Sequence, residues 1–185
     1  GMLIWPWEEA EAVIERWLEM LPDLPEEFTT TARLVQMPPF EEIPEFLRGR
    51  QLVIFNGAYL GDREEAAKLL APLRELKPEI DTFDDVDPSA LAQLHMDPED
   101  AMPSAADHML RGRLAPSFAK EFVAAAGAGS GSPMAVAELR HTGGALTRSA
   151  PGQGARTSLP GEMLYFTVGA LMPGRKVIDH VSRPC

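Results

Sequence analysis

The apolar residues in the N-terminal half of the chain change period repeatedly, and that succession restricts the fold more than any other feature. Leu3 to Trp5 is a short apolar run closed by Pro6, which predicts a brief strand. From Trp7 to Leu21 the spacing becomes helical, with apolar side chains at Ala10, Val13, Ile14, Trp17, Leu18 and Leu21. Glu8, Glu9 and Glu11 stand where the positive end of the helix dipole favours carboxylates, and Pro22 and Pro25 stop the helix. Phe28 to Met37 alternates around Thr29-Thr30-Thr31 and predicts a half-buried strand. A Pro-rich connection from Pro38 to Gly49 has room for one helical turn over Glu41 to Phe46. Gln51 to Leu60 then carries Leu52-Val53-Ile54-Phe55, the strongest strand signal, closed by Gly61. Asp62, with Glu65 three residues on, predicts a capped helix whose apolar stripe is Ala66, Leu69, Leu70 and Leu73. Glu79 to Phe83 predicts a further strand.

The resulting order, β-α-β-β-α-β, is the ferredoxin-like arrangement, with helices on one face of an antiparallel sheet. The second half extends it. Pro88 to His95 predicts a short helix capped by Asp87, His108 to Arg111 a strand, and Pro116 to Ala126 a helix burying Phe118, Phe122 and Val123. Met134 to His141 and Met163 to Leu171 predict two more strands, separated by Gly143-Gly144 and a Gly/Pro/Ser-rich loop from Ser149 to Gly161. The expectation is one α+β domain over residues 2–172, a ferredoxin-like βαββαβ core extended to a larger antiparallel sheet, followed by an irregular tail over 173–185.

Charge and cysteine content narrow the function classes. Twenty-eight acidic residues against seventeen basic ones give a net charge of -11. That field repels phosphate backbones and anionic lipid surfaces, so neither nucleic acid nor membrane is an expected partner. The single cysteine, Cys185, leaves no intramolecular disulfide and no Cys-based zinc site, which suits a reducing cytoplasm. His95, His108 and His141 lack the helical spacing of a metal site, and no serine stands in a Gly-x-Ser-x-Gly elbow.

Three stretches together resemble the middle, substrate-binding domain of berberine-bridge-type (PCMH-type) FAD-linked oxidases. They are Trp5-Pro6-Trp7 leading into the acidic helix, Asn56-Gly57-Ala58-Tyr59-Leu60-Gly61-Asp62 followed by Leu69-Leu70-Ala71-Pro72-Leu73-Arg74, and Ala137-Glu138-Leu139-Arg140-His141-Thr142-Gly143-Gly144-Ala145, with Leu91 to Pro98 in support. Their order and spacing over residues 2–172 carry the resemblance, rather than any one motif.

The resemblance implies a large antiparallel sheet, one face of which closes over the isoalloxazine of an FAD held by a separate domain. It also implies removal of a hydride from an alcohol, sugar or amine-bearing carbon. The sequence departs from the family in lacking a glycine-rich pyrophosphate loop, an Arg-Gly-Gly-Gly-His-like attachment site and the family's return segment. The expectation is therefore a truncated or non-catalytic homologue that binds no FAD by itself. Its alternatives are a substrate subunit working with a separate flavin domain, or a dimeric ferredoxin-like small-molecule-binding protein, either one docking through the open sheet face. In the family a strand residue, Asn or Glu, faces flavin and substrate with a Gln two residues on. Here Leu164 and Phe166 take those positions, and neither can move a proton.

The candidate substrate-facing residues are Glu138, Arg140, Tyr59 and Tyr165; no catalytic, cofactor-binding or metal-binding residue is expected. Period-two geometry puts Glu138 and Arg140 on one strand face and His141 on the other. Glu138 and Arg140 have a second reading as a solvated cross-strand ion pair, which would contribute little. Tyr59 has a second reading as a core residue with a satisfied hydroxyl. Trp5, Trp7 and Trp17 are expected in the helix-to-sheet core.

Overall fold

A computed structural model describes residues 1–41, 43–96, 104–111, 114–143 and 163–170, with backbone alone for 104, 110 and 163–170. The elements run β1 (Met2–Pro6), α1 (Ala10–Met20), β2 (Phe28–Gln36), β3 (Gln51–Tyr59), α2 (Arg63–Arg74), β4 (Ile80–Asp81), β5 (Ser104–Arg111), α3 (Phe118–Ala126), β6 (Met134–His141) and β7 (Met163–Ala170). The loop over 149–161 and the tail over 173–185 lie outside the described residues.

One seven-stranded sheet forms with the order β4-β1-β3-β2-β6-β7-β5, every described pairing being antiparallel. β3 lies between β1 and β2, so the β1-α1-β2 crossover spans a strand. That is the split arrangement anticipated from the βαββαβ order. β6, β7 and β5 then extend the sheet beyond β2, giving the expected α+β class.

The alternation along the strands sends two sets of side chains to two faces. One set, with Leu3, Trp5, Phe28, Ala32, Leu34, Val53, Phe55, Ala137 and Leu139, packs under the helices in a single core. α1 contributes Val13, Ile14 and Trp17, α2 contributes Leu70 and Leu73, and α3 contributes Ala119, Phe122 and Ala126. All three tryptophans are buried there; Trp17 Nε1 donates to Thr30 Oγ1 at 3.0 Å and Trp5 Nε1 to the Leu76 carbonyl at 2.9 Å. Phe28 meets Phe55 and Tyr59 edge-on, at centroid distances of 6.2 and 5.7 Å. Gly57 fits into this aromatic group because it has no side chain: a Cβ there would stand 2.6 Å from Phe28 Cε2 and 3.2 Å from Phe83 Cζ.

The cap on α2 forms as anticipated, the Asp62 carboxylate accepting from the Glu65 amide at 2.9 Å. Other details depart from the sequence reading. α3 buries Ala119 and Ala126 beside Phe122, while Phe118 and Val123 are half-buried, and the helix packs against α1. β4 is only two residues long, ending where the Asp81 carboxylate turns back to accept from the Phe83 amide. The face opposite the helices is also less open than expected. Ile4, Val35, Leu52 and Ile54 form a second, smaller core with Leu47, and Ile43 and Met96 pack against it. The connection over 37–50 and the turn at 94–96 thus cover its apolar part.

Candidate functional site

Where the helix-free face turns from apolar to polar, four strand residues build a cluster. Arg33 and Glu138 stand directly opposite each other across β2 and β6. Facing residues of an antiparallel pair share a face with Cβ atoms about 4.5–5.5 Å apart. Both are almost fully buried, Arg33 at 5% and Glu138 at 4% exposure. Isolated charges do not survive such burial, and each has its own partners: Glu138 pairs with Arg140, and Arg33 donates to two acceptors. The diagonal neighbour across β3 is Asn56, whose Oδ1 accepts from Arg33 Nε at 2.9 Å. Asn56 and Arg33 also reach the turn above them, Asn56 Nδ2 donating to the Leu94 carbonyl at 2.8 Å and Arg33 Nη1 to the His95 carbonyl at 2.9 Å. Arg140 completes the group, its Nε donating to Glu138 Oε1. Its side chain keeps 46% exposure, so it forms the rim.

This geometry corrects the reading of Glu138 and Arg140 as a solvated cross-strand pair. They are neighbours two residues apart on one strand, and Glu138 is almost fully buried. Arg33 and Asn56 complete the cluster. Arg33 was not singled out from the sequence, although a charged residue set between Ala32 and Leu34-Val35 in a strand is the signal that could have found it. Thr31 belongs to the same row, opposite Asn56 on one side and Arg140 on the other. Its hydroxyl oxygen is buried with no hydrogen-bond partner among the described residues.

Tyr59 lies elsewhere. It is on the helix side beside Phe28, and its hydroxyl donates to Glu65 Oε2 at 2.6 Å. That bond, then partial desolvation, pushes its pKa up to about 12. The reading of Tyr59 as a packed residue with a satisfied hydroxyl fits this placement. Leu164 pairs in register with Arg140, Tyr165 with Leu139 and Phe166 with Glu138. The two positions that the resemblance aligns with the flavin-facing residues are thus the register partners of the cluster's own Arg140 and Glu138. His141 is half-buried against Gly143, and desolvation lowers its pKa. No group of three or more potential metal ligands occurs among the described residues. None of their helices is long and apolar enough to cross a membrane.

The architecture is that of an α+β domain whose antiparallel sheet has helices on one side and a buried polar cluster on the other. Solved flavin oxidases contain such a domain. The chain is similar to chitooligosaccharide oxidase over 97% of its own length, with 16% identity and a TM-score of 0.65. It is similar to a variant of a BBE-like protein of Physcomitrella patens over 98% of its length, with 13% identity and a TM-score of 0.71. 6-Hydroxy-D-nicotine oxidase from Arthrobacter nicotinovorans matches over 98%, with 14% identity and a TM-score of 0.54. The chain spans 41%, 40% and 42% of those three proteins. At this identity the likeness establishes the fold. No protein-family profile and no curated protein sequence matches the chain.

Among the described residues, no helix start offers a seat for the pyrophosphate of an FAD. A recurring pyrophosphate seat is a glycine-rich turn opening onto a helix N-terminus. Here the three helices open on Glu9, Asp62 and Ser117, and each has carboxylates in its first turn: Glu11, then Glu64 and Glu65, then Glu121. Those charges repel phosphate oxygens.

Proposed function

We propose that this chain is the substrate-side wall of an FAD-linked oxidoreductase, and that the flavin it serves is held by residues other than these 185. The observation that carries the reading is the buried polar cluster of Arg33, Asn56 and Glu138, with Arg140 at its rim. It lies on the helix-free face of a fold shared with flavin oxidases over nearly the whole chain. In this reading the flavin supplies hydride transfer, and the chain supplies orientation and electrostatics. Glu138 holds the Arg140 guanidinium at the rim of the cluster, where its positive charge faces the substrate side. Arg33 and Asn56 fix the turn above. With Leu164 and Phe166 at the proton-transfer positions, the chain contributes no general base from that strand, and alone it oxidises nothing.

The test is complementation. The chain purified alone is expected to be colourless, and co-expression with a flavin domain encoded beside it should give a yellow complex. Glu138→Arg, which places like charges at facing positions, should abolish that complex. A chain that carries covalent flavin by itself, with colour surviving denaturation, would sink the proposal, as would a complex indifferent to Glu138→Arg.

A further inference from the structure

We infer that residues 84–96 form a strap over the polar end of the sheet that opens as a unit, with Arg33 and Asn56 as the positioning residues that hold it shut. Every residue from Asp84 to Gln93 is exposed, including Leu91 at 53%. The 3-10 turn over Pro88–Gln93 buries no side chain, and its start is fixed only within itself, by the Asp87 carboxylate accepting from the Ser89 amide at 2.9 Å. A segment with so little buried surface opens far below the free energy of global unfolding.

Its attachments lie at its two ends. Arg63 pairs with Asp84 and Asp85 at 2.5 and 2.7 Å, but all three side chains are largely exposed, so the pairs are screened and weak. At the other end Leu94, His95 and Met96 are half-buried. Here Asn56 Nδ2 holds the Leu94 carbonyl, Arg33 Nη1 holds the His95 carbonyl, and Met96 packs into the second core with φ of 55°. That left-handed conformation is unfavourable for a methionine and persists because these contacts fix it. Both clamping donors come from adjacent sheet strands and belong to the polar cluster, so opening the strap uncovers that cluster. The strap does not depend on whether a flavin partner exists.

Asn56→Asp is the discriminating variant. It keeps an acceptor for Arg33 Nε but sets a carboxylate oxygen against the Leu94 carbonyl, where an amide donor stood. Deuterium uptake of the 88–96 peptide is expected to accelerate about tenfold, which is the loss of a single hydrogen bond's protection. The 51–59 peptide of β3 should be unchanged. Met96→Ala, which removes the apolar anchor and leaves the sheet intact, should accelerate the same peptide in the same selective way. Unaltered uptake over 88–96 in both variants, or acceleration spread equally over β3, would overturn the inference.

Discussion

Replacing Glu138 with alanine removes a charge that is 4% exposed and faces Arg33, itself 5% exposed, across β2 and β6. Its ion pair is with Arg140, and breaking a buried pair by deleting one partner costs about 3–5 kcal/mol. Arg33 keeps its bonds to Asn56 and to the His95 carbonyl, which favours the lower end, about 3 kcal/mol. For a chain of this length that lowers Tm by roughly 6–12 °C. Arg140→Ala deletes a rim group with a 46% exposed side chain but leaves the buried Glu138 carboxylate without that donor, which costs about 1–3 kcal/mol. The double variant Glu138→Leu, Arg140→Met removes both members of the pair and should recover most of the loss, as apolar replacements of buried ion pairs do. Thermal unfolding followed by circular dichroism reads all three. If Glu138→Ala and Arg140→Ala shift Tm equally and slightly, Glu138 is a solvated surface acid and the cluster has no buried centre.

Other consequences follow from the helix side. Gly57→Ala should destabilise by about 1–2 kcal/mol in urea titration, since its methyl would meet Phe28 at 2.6 Å and the ring cannot retreat without disturbing Phe55 and Tyr59. Trp17→Phe should cost about 1 kcal/mol more than Trp7→Phe, because it strands Thr30 Oγ1 in the core, whereas Trp7 Nε1 is buried without a partner among the described residues. Tyr59 should ionise near pH 12 in a Tyr165→Phe background followed by ultraviolet absorbance, and Glu65→Gln should return it towards 10. Because the folded value is raised, this stabilisation is fully present below pH 10 and is lost as pH rises through 12. His141 has the opposite sense of shift. Its neutral form is favoured by burial, so its contribution is present above pH 6.5 and declines as pH falls towards the lowered folded value, a slope that His141→Gln should remove.

Much of the fold was legible because periodicity is a local property. The runs around Leu3, Phe28, Leu52 and Met134 marked their strands, and Asp62 marked the start of α2. Element ends were less legible where side-chain chemistry decides them, as at Asp81. The candidate site was legible in half. Glu138 and Arg140 share a face by parity, but the buried Arg33 that faces Glu138 comes from β2, more than a hundred residues earlier. Register across strands is not written in either segment alone. Tyr59 shows the converse limit: its strand was found, yet its face is set by the alternation that puts Phe55 and Tyr59 under the helices and Asn56 on the far side.

The measurement that bears most directly on this account is a calorimetric titration of FAD into the purified 185-residue chain. Carboxylates in the first turn of all three helices and a polar cluster without a phosphate cradle predict no saturable heat. Tight one-to-one binding, with the nucleotide seated within a single copy of the chain, would contradict it.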